Sequence, residues 1–267
     1  MRILIVTNLF PNARQPQRAI FNLHQFKALA ARHRVHIISP VAWTSSLRSV
    51  QPIDHGDSLR MTDGGDQGLT IEHPPYFYTP RTFRNRYGHL MAASIRPCFH
   101  AAVRSITPDM VLGCWAYPDG WAAATLAREA GLPIVIKVHG SDLMLVDPKR
   151  ERGGRAGRTR EALRMVDGVV AVGRHLKDRA VELGANDSRT WVVRNGVDTG
   201  IFTPGNRVSA RLELGHIGTS PLILSVGNLA LVKGHDLLIR ALAELPLKRW
   251  RCVVIGQGQA QARLQRL

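Results

Sequence analysis

The chain has 267 residues, and 45% of them are hydrophobic, which is enough to build more than one domain core. Its 36 Lys and Arg against 20 Asp and Glu give a formal net charge of +16, which predicts either attraction to polyanions (nucleotide diphosphates, lipid headgroups, nucleic acid) or an Arg-rich solvated surface. The cysteines are scattered and form no C-x-x-C pair, which argues against a disulfide framework or a zinc site and predicts a cytoplasmic protein. The apolar runs are shorter than the ~20 residues of a membrane span, which argues against a transmembrane helix.

From the first residue to about residue 203, short apolar runs alternate with helical patterns, which predicts α/β units around a mostly parallel sheet. The opening run MRILIV is shorter than a signal-peptide core and fits a first buried strand. We expect strands at Ile3–Thr7, Val35–Ser39, Thr70–His73, Met110–Gly113, Ile134–Val138, Gly168–Val172 and Thr190–Val193. The helices between them carry apolar residues at helical spacing, as at Ala123, Leu126 and Ala127. Residues 43–68 lose this pattern and are predicted to form a surface excursion.

Two segments concentrate the basic residues. Between Tyr76 and Arg104, arginines alternate with aromatic residues, and a second basic run extends from Lys149 to Arg164. Arginine beside aromatic rings can seat a segment on an anionic membrane surface. The same composition also describes a helix packed on its own domain, so both interpretations stay open.

Three loops follow predicted strands, and their residues form the candidate site of the first domain. Because the C-terminal ends of parallel strands meet at one edge of a sheet, these loops should lie together. A His that follows a strand is more often structural than catalytic, but His139 stands beside Gly, Ser and Asp at this edge and is therefore a catalytic candidate. Aromatic rings beside a carboxylate, as between residues 115 and 119, are typical of sugar-contacting surfaces. The candidate acceptor contacts are Asn8, Trp115, Tyr117, Asp119, Ser141 and Asp142.

A second α/β unit is predicted from residue 204 to residue 267. It has strands at Leu222–Val226 and Cys252–Ile255, with Lys233-Gly234 at the mouth of the helix between them. A Lys beside a flexible Gly at a helix N-terminus suits a phosphate group, because free backbone N–H groups and the helix dipole both favour negative charge. Gly256-Gln257-Gly258 would let the backbone approach a nucleotide, although it is only part of a dinucleotide motif. Two α/β domains in tandem predict a ligand cleft between them.

Four segments resemble successive landmarks of family 4 glycosyltransferases, which have the two-domain GT-B fold. In chain order they are VIKVHGSDL, AVGRHLKDRAVELG, VVRNGVDTGIFTP and SVGNLALVKGHDLLIRALAEL. The opening TNLFP…QPQRAIFNLHQFKALA resembles a branch of that family that acts in bacterial polysaccharide assembly. The resemblance implies tandem Rossmann-like α/β domains, a complete acceptor-side domain at residues 1–203 and the start of a donor domain at residues 204–267.

The resemblance also implies a reaction. In this family the first domain holds the acceptor, which is a saccharide or is lipid-linked, and the second holds a nucleotide-sugar, here expected to be UDP- or GDP-linked. Transfer of the sugar retains its anomeric configuration and needs neither a metal nor a cofactor. Lys233 matches the family Lys that neutralises the leaving diphosphate, and His139 matches the His beside the donor sugar. Without a metal, fixed cations and helix N-termini aimed at that diphosphate give the largest stabilisation of its developing negative charge. The implied donor contacts are Asn228, Lys233, Gly256 and Gly258.

The chain departs from the family pattern at three points. Asn228 stands where many members carry Arg, and Gln15-Pro16-Gln17-Arg18 stands where the first loop usually has a pair of glycines. The acidic motif that grips the donor lies, in the family, beyond the position of Leu267. We therefore expect a chain truncated within its donor domain and inactive alone. The alternative is a non-catalytic module that binds the acceptor or an anionic membrane at the inner face of the plasma membrane.

Two other protein classes are disfavoured. No helix-turn-helix pattern, RNP-type strand or zinc spacing accompanies the positive charge, so a nucleic-acid partner is not expected. The first strand is not followed by G-x-G-x-x-G, which argues against a nicotinamide enzyme.

Overall fold

The structure is a computed structural model of the chain. It describes residues 1–45, 68–146, 154–215, 220–246 and 249–267. The chain forms two compact units, Met1–Val197 and Asp198–Leu267. The excursion predicted at residues 43–68 and the start of the basic run at Lys149 fall mostly or wholly outside the described residues.

The first unit is built on a parallel sheet of seven strands, namely β1 (Arg2–Val6), β2 (Arg34–Ile38), β4 (Leu69–Glu72), β6 (Met110–Cys114), β7 (Ile134–Val138), β8 (Gly168–Ala171) and β9 (Thr190–Val192). Their order across the sheet is β4-β2-β1-β6-β7-β8-β9. Two short strands, β3 (Val41–Ala42) and β5 (Pro75–Tyr76), pair with each other in parallel beside it. The mostly parallel sheet predicted from the apolar runs is therefore confirmed, with each predicted strand of this unit placed within one residue of its observed bounds.

Six helices cover this sheet in the described residues. They are α1 (Ile20–Ala30), α2 (Tyr87–Ile106), α3 (Trp121–Glu129), α4 (Ser141–Met144), α5 (Gly154–Met165) and α6 (Arg174–Glu182). Alternate residues of the central strand β1 enter two separate cores, because successive side chains of a strand point to opposite faces. Leu4 and Val6 face a core shared with α2 and α3, whereas Ile3 and Ile5 face a core shared with α1. Each such Leu or Ile contributes about 2 kcal/mol when fully buried.

The basic and aromatic segment from Tyr76 to Arg104 has two different parts. Phe99 on α2 is fully buried in the core, and Arg96 on the same helix forms an ion pair of 2.8 Å with Glu129. This part is a helix packed on its own domain. In contrast, residues 80–86, which precede α2, are all exposed.

The second unit contains α7 (Arg207–Glu213), β10 (Leu222–Val226), α8 (His235–Glu244), β11 (Arg251–Ile255) and α9 (Gln261–Leu264). The two strands pair in parallel, with Leu222 opposite Arg251 and Val226 opposite Ile255. A βαβ connection through α8 is therefore present, as the sequence predicts, and Lys233 lies two residues before the first residue of that helix.

Two kinds of feature are absent from the described residues. No helix there is long and apolar enough to cross a membrane. No group of three or more His, Cys, Asp or Glu side chains in those residues is arranged to hold a metal ion.

Candidate functional site

Three loops of the first unit converge at one edge of the sheet. Strand β6 pairs with both β1 and β7, so the C-terminal ends of these three strands are neighbours. The loops that follow them begin at Thr7, Trp115 and His139. Side-chain hydrogen bonds link all three loops, so the predicted convergence occurs.

Asp142 connects two of these loops. Its carboxylate is only 2% exposed and accepts hydrogen bonds from the backbone N–H of Ala116 at 3.1 Å, of His139 at 3.2 Å and of Gly140 at 2.8 Å. Burial raises the pKa of Asp142, and the three N–H donors oppose that effect because they stabilise the charged form. Asp142 therefore positions the loop of His139 against the loop that follows β6. Ser141, the next predicted contact, is exposed at the first residue of α4.

His139 is packed between aromatic rings at this edge. Its ring centroid lies 5.3 Å from that of Phe21 on α1 and 6.4 Å from that of Trp115. Its Nε2 atom is buried and has no hydrogen-bond partner in the part of the chain that the structure describes. Burial lowers the pKa of His139 to about 4, and the nearby Lys137 ammonium lowers it further. The ring is therefore a neutral imidazole at physiological pH, and its shielded Nε2 atom leaves one hydrogen-bonding position unfilled.

Lys137 is a residue that the sequence analysis missed. Its Nζ atom donates a hydrogen bond to Gln25 Oε1 of α1 and another, of 3.1 Å, to Asn195 Oδ1 beyond β9. Burial lowers the pKa of this amine. No local spacing relates residues 25, 137 and 195, so only the sheet order brings them together.

A second cluster of hydrogen bonds surrounds Asn8. It joins Asn8 to the predicted residue Asp119 and also to Arg18, which was not among the predicted contacts. The Asn8 backbone N–H donates to Asp119, while Arg18 donates from Nε to the Asn8 carbonyl oxygen at 2.8 Å and from Nη2 to Asn8 Oδ1 at 3.0 Å. Asp119 is 0% exposed, and its second oxygen, Oδ2, has no partner among the described residues. Burial raises the pKa of Asp119 to about 7. Arg18 thus organises the loop that lacks the glycine pair, and Asp119 titrates near neutrality.

Tyr117, predicted to contact the acceptor, is instead buried. It is 3% exposed; its hydroxyl donates to the Arg84 carbonyl oxygen at 2.8 Å and accepts from the Gly88 N–H at 3.0 Å. The hydroxyl therefore holds the segment before α2 in place. Trp115, two residues earlier, is half-buried and stacks beside His139.

The remaining predicted residues belong to the second unit. Lys233 is exposed, and Gly234 after it has φ of 68°, a left-handed conformation that suits glycine. No side chain of the described residues caps the N-terminus of α8, so its first N–H groups can bind an anion. Asn228 contributes its carbonyl oxygen, 3.3 Å from Nε2 of His235. His235, missed by the sequence analysis, is buried and also lies 3.0 Å from Ser225 Oγ, so it ties β10 to α8.

Gly256 and Gly258 lie against the loop that follows β10. A Cβ atom at Gly256 would overlap the carbonyl oxygen of Gly227, and one at Gly258 would overlap the backbone of Leu229. Backbone hydrogen bonds of 2.9 Å from Leu229 N to Gln257 O and from Gly227 N to Ile255 O hold the two loops together. Close backbone packing is sufficient reason for both glycines, and their contact with a nucleotide stays a prediction.

Comparisons with known proteins agree with this architecture. The family model described as Glycosyltransferase Family 4 matches residues 18–200, and the model described as Glycosyl transferases group 1 matches residues 207–267. A protein of Bacillus subtilis (strain 168), named for teichuronic acid biosynthesis as the glycosyltransferase TuaC, is 27% identical over 99% of this chain and 67% of its own. A D-inositol 3-phosphate glycosyltransferase of Nocardiopsis dassonvillei is 31% identical over 70% of this chain and 46% of its own.

Two solved structures share the fold. Sucrose-phosphate synthase from Thermosynechococcus elongatus superposes with a TM-score of 0.68 and 16% identity, over 99% of this chain and 65% of that one. Alr3699/HepE from Anabaena, solved in complex with UDP, superposes with a TM-score of 0.66 and 14% identity, over 100% of this chain and 64% of that one. The chain thus spans about two thirds of these structures and less than half of the Nocardiopsis enzyme.

The family model covers more than half of the chain, and the sheet order and the landmark segments agree with it. The chain belongs to glycosyltransferase family 4, and its fold is that of the GT-B glycosyltransferases.

Proposed function

We propose that this chain serves a retaining hexosyltransferase that moves a sugar from a UDP- or GDP-linked donor to a saccharide or lipid-linked acceptor. The proposed setting is cell-surface polysaccharide synthesis on the cytoplasmic side of the membrane, without a metal ion. The relative named for teichuronic acid biosynthesis and the structural neighbour solved with UDP support this choice of pathway and donor.

The observation that carries the proposal is the state of His139. A neutral imidazole whose Nε2 atom is shielded from water and unpartnered is costly unless a ligand group completes its hydrogen bonds. Asp142 fixes the backbone of this residue, and the rings of Phe21 and Trp115 fix its side chain. In the proposed reaction this nitrogen meets a polar group of the substrates next to the bond that breaks.

The second unit supplies the charge that the reaction requires. When the bond between the sugar and the diphosphate breaks, its electron pair stays with the leaving phosphate, where negative charge develops. The acceptor hydroxyl oxygen bonds to the sugar on the same face, and its proton passes to the leaving phosphate. We propose that Lys233 and the uncapped N-terminus of α8 stabilise that charge, with Asn228 and the loop of Gly256 and Gly258 beside the nucleotide. The acceptor would contact Asn8, Trp115 and Ser141, whereas Asp119, which is fully buried, would act by accepting the hydrogen bond of the Asn8 backbone N–H.

The test is release of nucleoside diphosphate from a panel of UDP- and GDP-sugars by the protein captured from its native cells. We expect one donor to turn over in the presence of saccharide or lipid-linked acceptors, with a rate that EDTA does not change. Failure to bind any nucleotide, with retained binding to vesicles, would instead support a non-catalytic module that binds the acceptor or the membrane. Loss of all turnover in EDTA would contradict the metal-free mechanism.

A further inference from the structure

The segment that precedes α2 is exposed along its whole length. We name residues 80–86, with the sequence PRTFRNR, the Arg–Phe loop. Phe83 at its centre is 64% exposed, and Phe77 just before it is 50% exposed. Two large apolar side chains are thus exposed within seven residues of sequence, and exposed apolar surface of this kind is a candidate for an interaction site.

The charge of this loop is positive, and no carboxylate of the described residues forms an ion pair with it. From His73 to Pro108 the sequence has no Asp or Glu, and three of its arginines lie in the Arg–Phe loop. Other arginines of the first unit form ion pairs, as Arg96 does with Glu129 at 2.8 Å. Across the residues whose positions are described, no carboxylate pairs with Arg81, Arg84 or Arg86. A partner of opposite charge can therefore bind these arginines without breaking an existing ion pair.

The loop is nevertheless held in one conformation. The Tyr87 hydroxyl donates to the Thr79 carbonyl oxygen at 2.7 Å, and the Arg86 N–H donates to the Phe83 carbonyl oxygen at 2.8 Å. The buried Tyr117 hydroxyl donates a hydrogen bond to the carbonyl oxygen of Arg84. Phe83 has φ of 48°, a left-handed conformation that a residue with a bulky side chain adopts only when its surroundings impose it. Because the loop is preorganised, little conformational freedom is lost on binding.

We propose that the Arg–Phe loop docks the first unit on an anionic lipid bilayer. Phe83 enters the boundary between headgroups and acyl chains, and Arg81, Arg84 and Arg86 bind the lipid phosphates. Apolar rings flanked by basic residues are the composition of segments that lie in this interface. The Arg86 guanidinium lies 5.7 Å from the centre of the Phe83 ring and occupies one of its faces, which disfavours the stacking of a nucleic-acid base there.

The docking surface is physically connected to the candidate acceptor loop. Tyr117, which anchors the Arg–Phe loop, belongs to the turn Ala116–Gly120 that also carries Asp119. A bilayer bound at the Arg–Phe loop would thus present a lipid-linked acceptor near that turn. This last step rests on the proposed function, whereas the docking itself does not depend on glycosyl transfer.

Cosedimentation with phosphatidylglycerol–phosphatidylcholine vesicles, compared with phosphatidylcholine vesicles alone, tests the docking. We expect binding only to the anionic vesicles. Each Arg→Gln change should lower the partition coefficient about fivefold, so Arg81→Gln, Arg84→Gln and Arg86→Gln together should lower it about 100-fold. Phe83→Ser alone should lower it about tenfold, because the apolar contribution is lost. All these side chains are exposed, so the thermal midpoint should stay unchanged.

The matched control carries the same change of net charge elsewhere on the first unit, through Arg32→Gln, Arg34→Gln and Arg189→Gln, all exposed. It should bind the anionic vesicles nearly as well as the unchanged protein. An equal loss in this control would overturn the proposal, because binding would then follow net charge and not the loop. Unchanged vesicle binding in the loop variant, together with weaker binding to an oligonucleotide, would also overturn it in favour of a nucleic-acid partner. An unchanged rate of diphosphate release in the loop variant with a water-soluble acceptor keeps the two proposals separable.

Discussion

Replacing Asp119 with asparagine should raise the free energy of unfolding by about 4 kcal/mol at pH 8 and change it little near pH 3. The folded-state pKa of this buried carboxyl is about 7, against 3.8 for an ordinary aspartate. Because the folded-state pKa is raised, the protonated carboxyl contributes its full stability below pH 3.8, and that contribution is lost as pH rises through 7. A difference of about 3 pKa units corresponds to about 4 kcal/mol. Asparagine stays neutral at every pH and keeps an oxygen for the Asn8 N–H.

The measurement is urea unfolding of both proteins at intervals from pH 3 to pH 9. Asp109→Asn is the matched control, because Asp109 is exposed and hydrogen bonds from Arg2 lower its pKa. Its stabilising contribution has the opposite sign: it is present above the unfolded pKa and disappears as the solution becomes more acidic. A difference between Asp119→Asn and the unchanged protein that is the same at all pH values would show that Asp119 is not a buried, near-neutral acid.

Replacing Lys233 with alanine should lower kcat/KM for sugar transfer by about 30- to 1,000-fold. This corresponds to about 2–4 kcal/mol of transition-state stabilisation, the usual effect of removing one group aimed at developing charge. Lys233 is exposed at the N-terminal end of α8, so its removal should leave the free energy of unfolding nearly unchanged. The assay is single-donor kinetics on the protein captured from native cells.

Arg240→Ala provides the control for Lys233→Ala, because Arg240 is an exposed cation of the same helix several residues further along. It should retain transfer within a factor of two to three of the unchanged rate, a range within ordinary variation of surface substitutions. A wild-type rate in Lys233→Ala would remove this residue from the donor site and would leave the phosphate without its proposed cation.

The sheet could be predicted from the sequence because its strands are buried on both faces. Runs such as Ile3–Val6 and Ile134–Val138 are almost continuously apolar, as parallel strands covered by helices require. The convergence of the three loops followed from the strand order alone. In contrast, composition does not show that Phe99 is buried in the core and that Phe83 is exposed, because both residues stand among arginines. Only the packing of α2 distinguishes them.

The candidate site was only partly predictable for a related reason. His139 and Asp142 are three residues apart, so a local pattern reveals them, and their hydrogen bond is local as well. Lys137 meets Gln25 and Asn195 across 112 and 58 residues of chain, distances at which no spacing rule applies. Tyr117 has the composition of a ligand contact, yet its hydroxyl holds the backbone of another segment. Side-chain partners between distant segments depend on the assembled sheet.

The most direct test of the proposed site is His139→Ala, measured in two ways on the same preparation. We expect kcat/KM for sugar transfer to fall about tenfold or more, because the substrate loses a hydrogen-bond partner at the reacting centre. The thermal midpoint should fall by no more than about 4 °C, since the His139 backbone bonds to Asp142 remain. His24→Ala, an exposed histidine of α1, should change neither quantity. A larger drop in the midpoint with unchanged transfer per folded molecule would contradict the account and make His139 a structural residue.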